Sequence, residues 1–128
     1  MPYSSFIFDS AITEIIKFVQ PKTFLDIGAG AGKYGSIVKE ISPSIETIAV
    51  EIEKDYIEKF NLSSLYDQIW NIPVSDIVQP KYFDLDFDVI MVGDILEHLK
   101  KSEGIDLLNF WQQQPGPHQL LLTRLREL

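Results

Sequence analysis

Thr-Phe-Leu-Asp-Ile-Gly-Ala-Gly-Ala-Gly-Lys-Tyr-Gly, residues 23–35, is the stretch that decides the fold. A short apolar run ends there in Asp26, and glycines follow at Gly28, Gly30 and Gly32. The pattern predicts a strand that enters a tight turn and is followed at once by a helix. Glycines let the backbone of such a turn approach a ligand closely, beside the amide groups of a helix start. We therefore expect a ligand-binding turn here.

Asp26 sharpens this interpretation. An ionised carboxylate at the end of a central strand is costly unless a cation or hydrogen-bond donors meet it. Amide groups of the turn fit that requirement, and so does the ammonium group of a ligand. The alternative is a turn aspartate that the protein satisfies by itself, without any ligand.

Composition indicates one globular domain over residues 1–128. The chain has 128 residues, 45% of them hydrophobic, and no low-complexity tract, which is typical of a domain with a sizeable core. It lacks an apolar run of about 18 residues, as a transmembrane helix requires. Its N-terminus lacks the basic start and apolar middle of a signal peptide. We therefore expect a cytoplasmic protein without membrane contact.

Charge and cysteine content exclude further classes. Nineteen acidic residues against 11 basic ones give a net charge of −8, with no clustered Lys/Arg stripe. Such a surface repels phosphate backbones, which argues against nucleic acid as the main partner. The chain contains no cysteine, which excludes disulfides and thiolate metal sites.

Hydrophobic periodicity predicts strands and helices in alternation. The predicted elements are a helix from Asp9, as N-cap, to Pro21; strand Phe24–Ile27; helix Ala31–Ile41; strand Thr47–Val50; helix Lys54–Leu62 with Ile57 and Phe60 buried; a weaker strand Gln68–Ile72; strand Phe87–Val92; and a helix from Ser102 to Gln113. This alternation predicts an α/β, Rossmann-like fold with three α/β/α layers and a mostly parallel sheet.

Acidic residues stand at or just past four predicted strand ends. They are Asp26, Glu51, Asp76 and Asp94. Ligands of open parallel sheets bind beyond the carboxyl ends of the strands, so these four positions predict an acidic pocket.

Two phosphate-binding motifs compete for the glycine turn. A P-loop does not fit, because no glycine lies five positions before Gly32 and Tyr34 replaces the required Ser/Thr. The dinucleotide spacing is met by Gly30, Gly32 and Gly35, but that frame begins two residues past the predicted strand end. Asp26 would also repel a pyrophosphate. A nicotinamide-dependent oxidoreductase therefore stays the weaker alternative.

The ordered motifs resemble class I S-adenosylmethionine-dependent methyltransferases. They are Asp-x-Gly-x-Gly-x-Gly at residues 26–32, an acidic residue 23 positions after the first glycine, and Phe-Asp-Val-Ile-Met-Val-Gly-Asp-Ile-Leu-Glu-His-Leu at residues 87–99. The resemblance covers roughly residues 9–113, the cofactor-binding half, and leaves an atypical tail at residues 114–128. It implies S-adenosylmethionine as cofactor and a small-molecule methyl acceptor.

The resemblance also implies roles for individual residues. The methionine part of the cofactor would be held by Asp26 and the turn glycines Gly28, Gly30 and Gly32. Glu51 would accept hydrogen bonds from both ribose hydroxyls, and Ile52 would pack on the adenine. Asp76 would meet the adenine amino group, with Ile77 beside it. Asp94 would face the reacting methyl group.

His98 is the candidate acid–base residue of the predicted pocket, because an imidazole has a suitable pKa. The alternative is a helix-start histidine bonded to the backbone. A metal site from Asp94, Glu97 and His98 is disfavoured, since one histidine without cysteine is a poor ligand set. An aromatic group, Tyr3, Phe6 and Phe8, either closes over the cofactor or packs on the first helix.

The C-terminal part departs from the expected family pattern. Relatives continue for several more strands, so the sheet is expected to be incomplete on this side. Gln119–Thr123 would supply a fifth strand, or Leu121, Leu125 and Leu128 would line a helix. An exposed sheet edge predicts self-association through this segment. A catalytically silent cofactor-binding or assembly module is therefore the second functional hypothesis.

Overall fold

The computed structural model describes residues 7–78, 87–92, 109 and 119–122. Within these residues the predicted alternation of helices and strands is confirmed. The elements are α1 (Ile7–Val19), β1 (Thr23–Ile27), α2 (Lys33–Ile41), β2 (Glu46–Val50), α3 (Lys54–Lys59), β3 (Gln68–Trp70), β4 (Val89–Val92) and β5 (Gln119–Leu122), with 3-10 helices at Leu62–Ser64 and Val74–Val78.

The five described strands form one sheet in the order β3-β2-β1-β4-β5, and every pairing is parallel. The chain therefore runs outward from β1 to β2 and β3, then returns to the other side of β1 as β4. This reversal makes the boundary between β1 and β4 the switch point, where parallel sheets bind their ligands.

Apolar side chains cover both faces of the sheet. On one face, α1 and α2 bury Ile12, Ile16 and Val38 against Phe24 and Met91. On the other face, Ile77 from the second 3-10 helix joins a cluster of strand residues, namely Leu25, Ile27, Ile48, Val50, Ile90 and Val92. Strands buried on both faces read as continuous apolar runs, which is why the sequence predicts them well.

Helix boundaries differ from the predicted ones. Asp9 is not an N-cap, because α1 begins at Ile7 and places Asp9 within its first turn. Helix α2 begins at Lys33 rather than Ala31, since the preceding Gly32 is left-handed. Helix α3 ends at Lys59, where left-handed Asn61 separates it from a 3-10 helix.

Several other details differ as well. Ile57 and Phe60 are half-buried rather than buried. Strand β3 ends at Trp70, two residues early, and β4 begins at Val89. The fifth strand is confirmed at Gln119–Leu122.

Part of the predicted chain lies outside the described residues. Of the helix predicted from residue 102 to 113, Asn109 is described and is helical. In the described part of the chain, no helix has the length and apolar character needed to cross a membrane.

Candidate functional site

The five described strands end at one level on the carboxyl edge of the sheet, where Val92 of β4 also lies opposite Leu122 of β5. Ile27 of β1 lies opposite both Val50 of β2 and Val92 of β4, and Val50 lies opposite Trp70 of β3. Residues that directly follow the strands are therefore neighbours at this edge. The predicted acidic pocket rests on this alignment, and it brings the glycine turn beside Glu51.

The glycine turn has the backbone that the sequence predicts. Gly28, Gly30 and Gly32 have φ values of 79°, 56° and 83°, which side chains disfavour. Gly28 N–H donates to the Val50 carbonyl at 2.8 Å, so the turn is tied to the end of β2. A Cβ on Gly32 would also lie 2.9 Å from the Leu62 side chain. The turn therefore needs glycine for both conformation and space.

Glu51 joins the two loops that leave β1 and β2. Its carboxylate is buried, and its Oε1 accepts a 2.7 Å hydrogen bond from Gly30 N–H. Its Oε2 accepts a 2.9 Å bond from Glu53 N–H. Because each carboxylate oxygen has about two lone-pair sites, Glu51 keeps acceptor capacity for a ligand while it shapes the glycine turn.

Asp26 lies beneath the turn and has no exposed surface. Its Oδ2 accepts a 2.5 Å hydrogen bond from the Tyr66 hydroxyl. The same hydroxyl accepts a 3.2 Å bond from Gly35 N–H in the first turn of α2. Within the described part of the chain, the Asp26 Oδ1 atom is buried and has no hydrogen-bond partner. One oxygen of this carboxyl group is therefore hydrogen-bonded by the described residues, and the other is not.

Burial decides the protonation of this pair. Desolvation raises the pKa of Asp26 from 3.8 to about 7; the nearby Glu51 carboxylate adds to the rise, and the Tyr66 hydrogen bond opposes it. Burial, followed by the adjacent Asp26, raises the pKa of Tyr66 well above 10. Near neutral pH the Asp26 carboxyl therefore exchanges a proton readily, whereas the phenol keeps its own.

The residues assigned to adenine occupy different surroundings. Ile52 directly follows Glu51 and is 54% exposed. Asp76 is half-buried in the second 3-10 helix, six residues past β3, rather than at the strand end. Ile77 is fully buried in the core. The structure therefore brings Glu51 and Ile52 together at the edge and places Ile77 inside the molecule.

Other predicted site residues fall outside the described part of the chain. These are Asp94, Glu97 and His98, together with Tyr3 and Phe6, while Phe8 is described only as helical backbone. Their assigned roles stay predictions.

Three residues of this edge are absent from the sequence-based assignment. Tyr66 holds Asp26, and Gly35 leaves room for the Tyr66 ring, since a Cβ there would lie 2.8 Å from the hydroxyl oxygen. Asn71 Nδ2 donates to the Glu51 carbonyl at 2.7 Å and to the Ile52 carbonyl at 3.0 Å. A glycine inside a helix is a signal of close packing, but no local pattern identifies Tyr66 as the partner of Gly35, or Asn71 as the donor to the carbonyls after β2.

Solved structures of methyltransferases are similar to this chain. An O-methyltransferase family protein from Burkholderia thailandensis matches with a TM-score of 0.67 and 16% identity, over 91% of this chain and 36% of its own. The plantazolicin methyltransferase BpumL, in complex with SAH, matches with a TM-score of 0.70 and 16% identity, over 90% and 45%. The chain has the class I methyltransferase fold.

A third match has the same fold. It is the O-methyltransferase TomG from Streptomyces achromogenes, in complex with SAM, with a TM-score of 0.67 and 14% identity over 94% of this chain and 56% of its own. The chain thus spans from about a third to just over half of these neighbours' lengths. No protein-family profile and no curated protein matches the sequence. The feature shared with these neighbours is the class I methyltransferase fold.

Proposed function

We propose that this chain binds S-adenosylmethionine at the carboxyl edge of its sheet and transfers the methyl group to a small-molecule acceptor. The observation that carries the proposal is the buried Glu51 carboxylate, bonded to Gly30 N–H beside three left-handed glycines. This geometry combines close backbone approach with fixed negative charge at the switch point. Neighbours of the same fold that have SAH or SAM bound support the same ligand.

The chemistry of the donor set fits this cofactor. S-adenosylmethionine carries a sulfonium and an ammonium group and no phosphate, so carboxylates around it attract rather than repel it. The unmet Asp26 Oδ1 and the spare lone pairs of Glu51 are suited to a cation and to ribose hydroxyls. A dinucleotide would bring a pyrophosphate close to both carboxylates, which is unfavourable where water is excluded.

In this proposal each residue contacts or faces one part of the cofactor, according to its position at the carboxyl edge. The turn glycines Gly28, Gly30 and Gly32 admit the methionine part, and Asp26 supplies negative charge from below. Glu51 holds the ribose and Ile52 covers the adenine, with Asp76 assigned to the rest of that ring. Ile77 has no exposed surface and packs in the core instead. Asp94 faces the transfer site and His98 is the candidate base. The bound cofactor supplies an electrophilic methyl group.

Rate in such a site comes mainly from placement of donor and acceptor. A carboxylate in contact with the sulfonium would stabilise the ground state more than the transition state, because the positive charge is lost as the methyl group moves. Orientation alone contributes ~7–11 kcal/mol in favourable cases. The buried position of Asp26, beneath the turn, agrees with a role in binding rather than in contact with sulfur.

Thermal denaturation with added ligands tests the proposed cofactor. We expect S-adenosylmethionine and S-adenosylhomocysteine each to raise the Tm, whereas NAD leaves it unchanged, because ligands that bind the folded state alone stabilise it. A Tm raised by NAD alone would instead support the oxidoreductase alternative.

Turnover separates the enzyme from a catalytically silent binding module. Both would bind the cofactor, but only the enzyme releases S-adenosylhomocysteine when a suitable acceptor is present. Screening small-molecule nucleophiles for this product, with the His98→Ala variant in parallel, tests the methyl transfer and the role of His98.

We also propose self-association through the C-terminal segment. Among the described strands, β5 pairs with β4 on one side and forms an edge of the sheet on the other. Unpaired strand edges are normally covered or paired. Light scattering at micromolar concentration should show a mass above that of the monomer, and a monomeric mass would contradict the proposal.

A further inference from the structure

The carboxyl group of Asp26 is buried, and no cation among the described residues balances it. Its neighbours across the sheet are Ala49 of β2 and Met91 of β4, which carry no charge. The groups that act on it are the Tyr66 hydroxyl, from the segment before β3, and the Glu51 carboxylate after β2. Ionised Asp26 would therefore face a like charge in a dry environment, which strongly favours the protonated form.

Helix α2 does not supply the missing positive charge. Its first-turn lysine, Lys33, forms an ion pair with Asp9 of α1, with 2.9 Å between Nζ and Oδ1. What α2 supplies is the Gly35 amide, which donates to the Tyr66 oxygen at 3.2 Å. Tyr66 thus relays the polarity of the helix start to Asp26. It is the protein's own means of making a negative charge tolerable at this position.

We propose that Asp26 and Tyr66 form a proton-holding pair beneath the glycine turn, so that binding of a cationic ammonium group above the turn releases the Asp26 proton to solvent. The inference deepens the proposed function and rests on it. Tyr66 is a positioning residue in this arrangement: it orients the carboxyl group and sets how easily the proton leaves. Cofactor binding then depends on pH through a group that has no exposed surface.

The linkage between proton binding and ligand binding gives the direction and size of the pH dependence of the affinity. If a bound ammonium lowers the pKa of Asp26 by about one unit, the affinity for the ligand rises about fivefold between roughly pH 6 and pH 8. The ligand prefers the ionised carboxyl, so binding at about pH 6–7 releases a fraction of a proton. A ligand with the same nucleoside but without the amino-acid part lacks the cation and should bind without this release.

Calorimetry of the full chain tests the proposal. S-adenosylhomocysteine is titrated at about pH 6, 7 and 8, each in two buffers of different ionisation enthalpy, and 5′-methylthioadenosine serves as the ligand without an ammonium group. We expect proton release and a rising affinity for the first ligand and neither for the second. Equal proton release on binding of both ligands would contradict the proposed Asp26–Tyr66 pair. Binding of S-adenosylhomocysteine that is independent of pH would contradict it as well.

Variants assign the effect to the two residues. Tyr66→Phe removes the hydrogen bond that favours ionised Asp26, so the pH midpoint of binding should move upward by about one unit. Asp26→Asn should abolish the proton release. Tyr56→Phe removes a hydroxyl from α3 and is the matched control, with an unchanged pH profile. If the pH midpoint of binding is the same in Tyr66→Phe as in the unsubstituted protein, Tyr66 has only a structural role.

The titration of Asp26 can also be measured in the unsubstituted protein, so that this test does not require any variant to fold. The Asp26 side-chain carboxyl carbon, followed by nuclear magnetic resonance, should titrate near neutral pH in the free protein and at lower pH when S-adenosylhomocysteine saturates it. Titration of Asp26 near its ordinary range in the free protein would refute the pair while leaving the proposed function standing. Absence of S-adenosylhomocysteine binding at every pH would refute the proposed function and the pair together.

Discussion

Glu51 holds the glycine turn at the carboxyl edge, and a single-residue variant tests its proposed second role in cofactor binding. The carboxylate accepts amide hydrogens from Gly30 and Glu53, and it is assigned to the ribose hydroxyls in the proposed complex. The Glu51→Ala change should weaken S-adenosylhomocysteine binding by about 1.5–3 kcal/mol, as expected for loss of charge-assisted hydrogen bonds. Calorimetry measures this loss.

Glu53→Ala is the matched control for Glu51→Ala. It makes the same change in charge two residues away, on an exposed side chain whose backbone amide still donates to Glu51. Its affinity should equal that of the unsubstituted protein. If Glu51→Ala also left affinity unchanged, Glu51 would have no role in ribose binding.

Gly35 tests the packing that supports the site. A Cβ at this position would lie 2.7 Å from a Tyr66 ring carbon and 2.8 Å from its oxygen, so Gly35→Ala should destabilise the fold by about 1–3 kcal/mol through overpacking. Urea denaturation measures the change. Ser36→Ala, at an exposed position of the same helix, is the control, and an equally small effect of both changes would argue against close packing here.

At the scale of elements, Lys39 connects the end of α2 to two strand starts. Its Nζ donates to the Ile45 carbonyl at 2.8 Å and pairs with Asp67 Oδ2 at 2.7 Å. Asp67 in turn accepts the Thr47 N–H at 2.8 Å. Chiefly through the Lys39 hydrogen bond, these contacts lower the pKa of Asp67. This cluster lies away from the proposed cofactor edge and holds the register of β2 and β3.

Lys39→Ala should lower the free energy of unfolding by about 1 kcal/mol at neutral pH, because partly exposed ion pairs contribute little. Asp67 has a lowered pKa when folded, so its contribution is present above 3.8 and is lost as pH falls through the folded value. The difference between Lys39→Ala and the unsubstituted protein should therefore shrink as the pH falls below 3.8. A difference that does not shrink below pH 3.8 would assign the effect to the carbonyl contacts alone.

Boundaries of elements show where sequence patterns are insufficient. The apolar runs of β1, β2 and β4 identify the strands, since both faces of the sheet are covered. Helix α2 starts later than its periodicity suggests, because Gly32 takes φ 83° to pass under Leu62 and Leu65. The start of α2 therefore depends on packing between segments that are distant in the sequence, which local periodicity does not predict.

For the whole molecule, Asp26 makes stability depend on pH near neutrality. Its pKa is 3.8 in an unfolded chain and about 7 when folded, so the folded state binds the proton more tightly between these values. Stability should therefore fall by a few kcal/mol as pH rises from about 4 to above 7, and then level off. Urea denaturation across this range measures the slope, to which other groups also contribute.

Asp26→Asn should remove this part of the slope, because the amide keeps the shape and an acceptor for Tyr66 without the charge. The variant should then be more stable than the unsubstituted protein above about pH 8. Identical slopes in both proteins would show that Asp26 does not titrate in this range.

Those parts of the carboxyl edge that directly follow a strand were predictable from the sequence. Glu51 and the glycine turn directly follow strands that pair side by side, so alternation alone places them together. Tyr66 meets Asp26 across 40 positions of chain, and Asp76 is displaced from the strand end by a 3-10 helix. Both depend on how the segments after α3 and β3 fold back, which requires tertiary packing.

The strand order has a consequence for how the protein is made. Strands β1, β2 and β3 are neighbours in space in the same order in which they leave the ribosome. The hydrogen-bonded groups around the glycine turn, from Asp26 to Tyr66, occupy one continuous segment. Short separations along the chain favour rapid folding, and synthesis proceeds from the N-terminus. A nascent chain can thus form these contacts at the carboxyl edge, around the glycine turn, while β4 and β5 are still being translated.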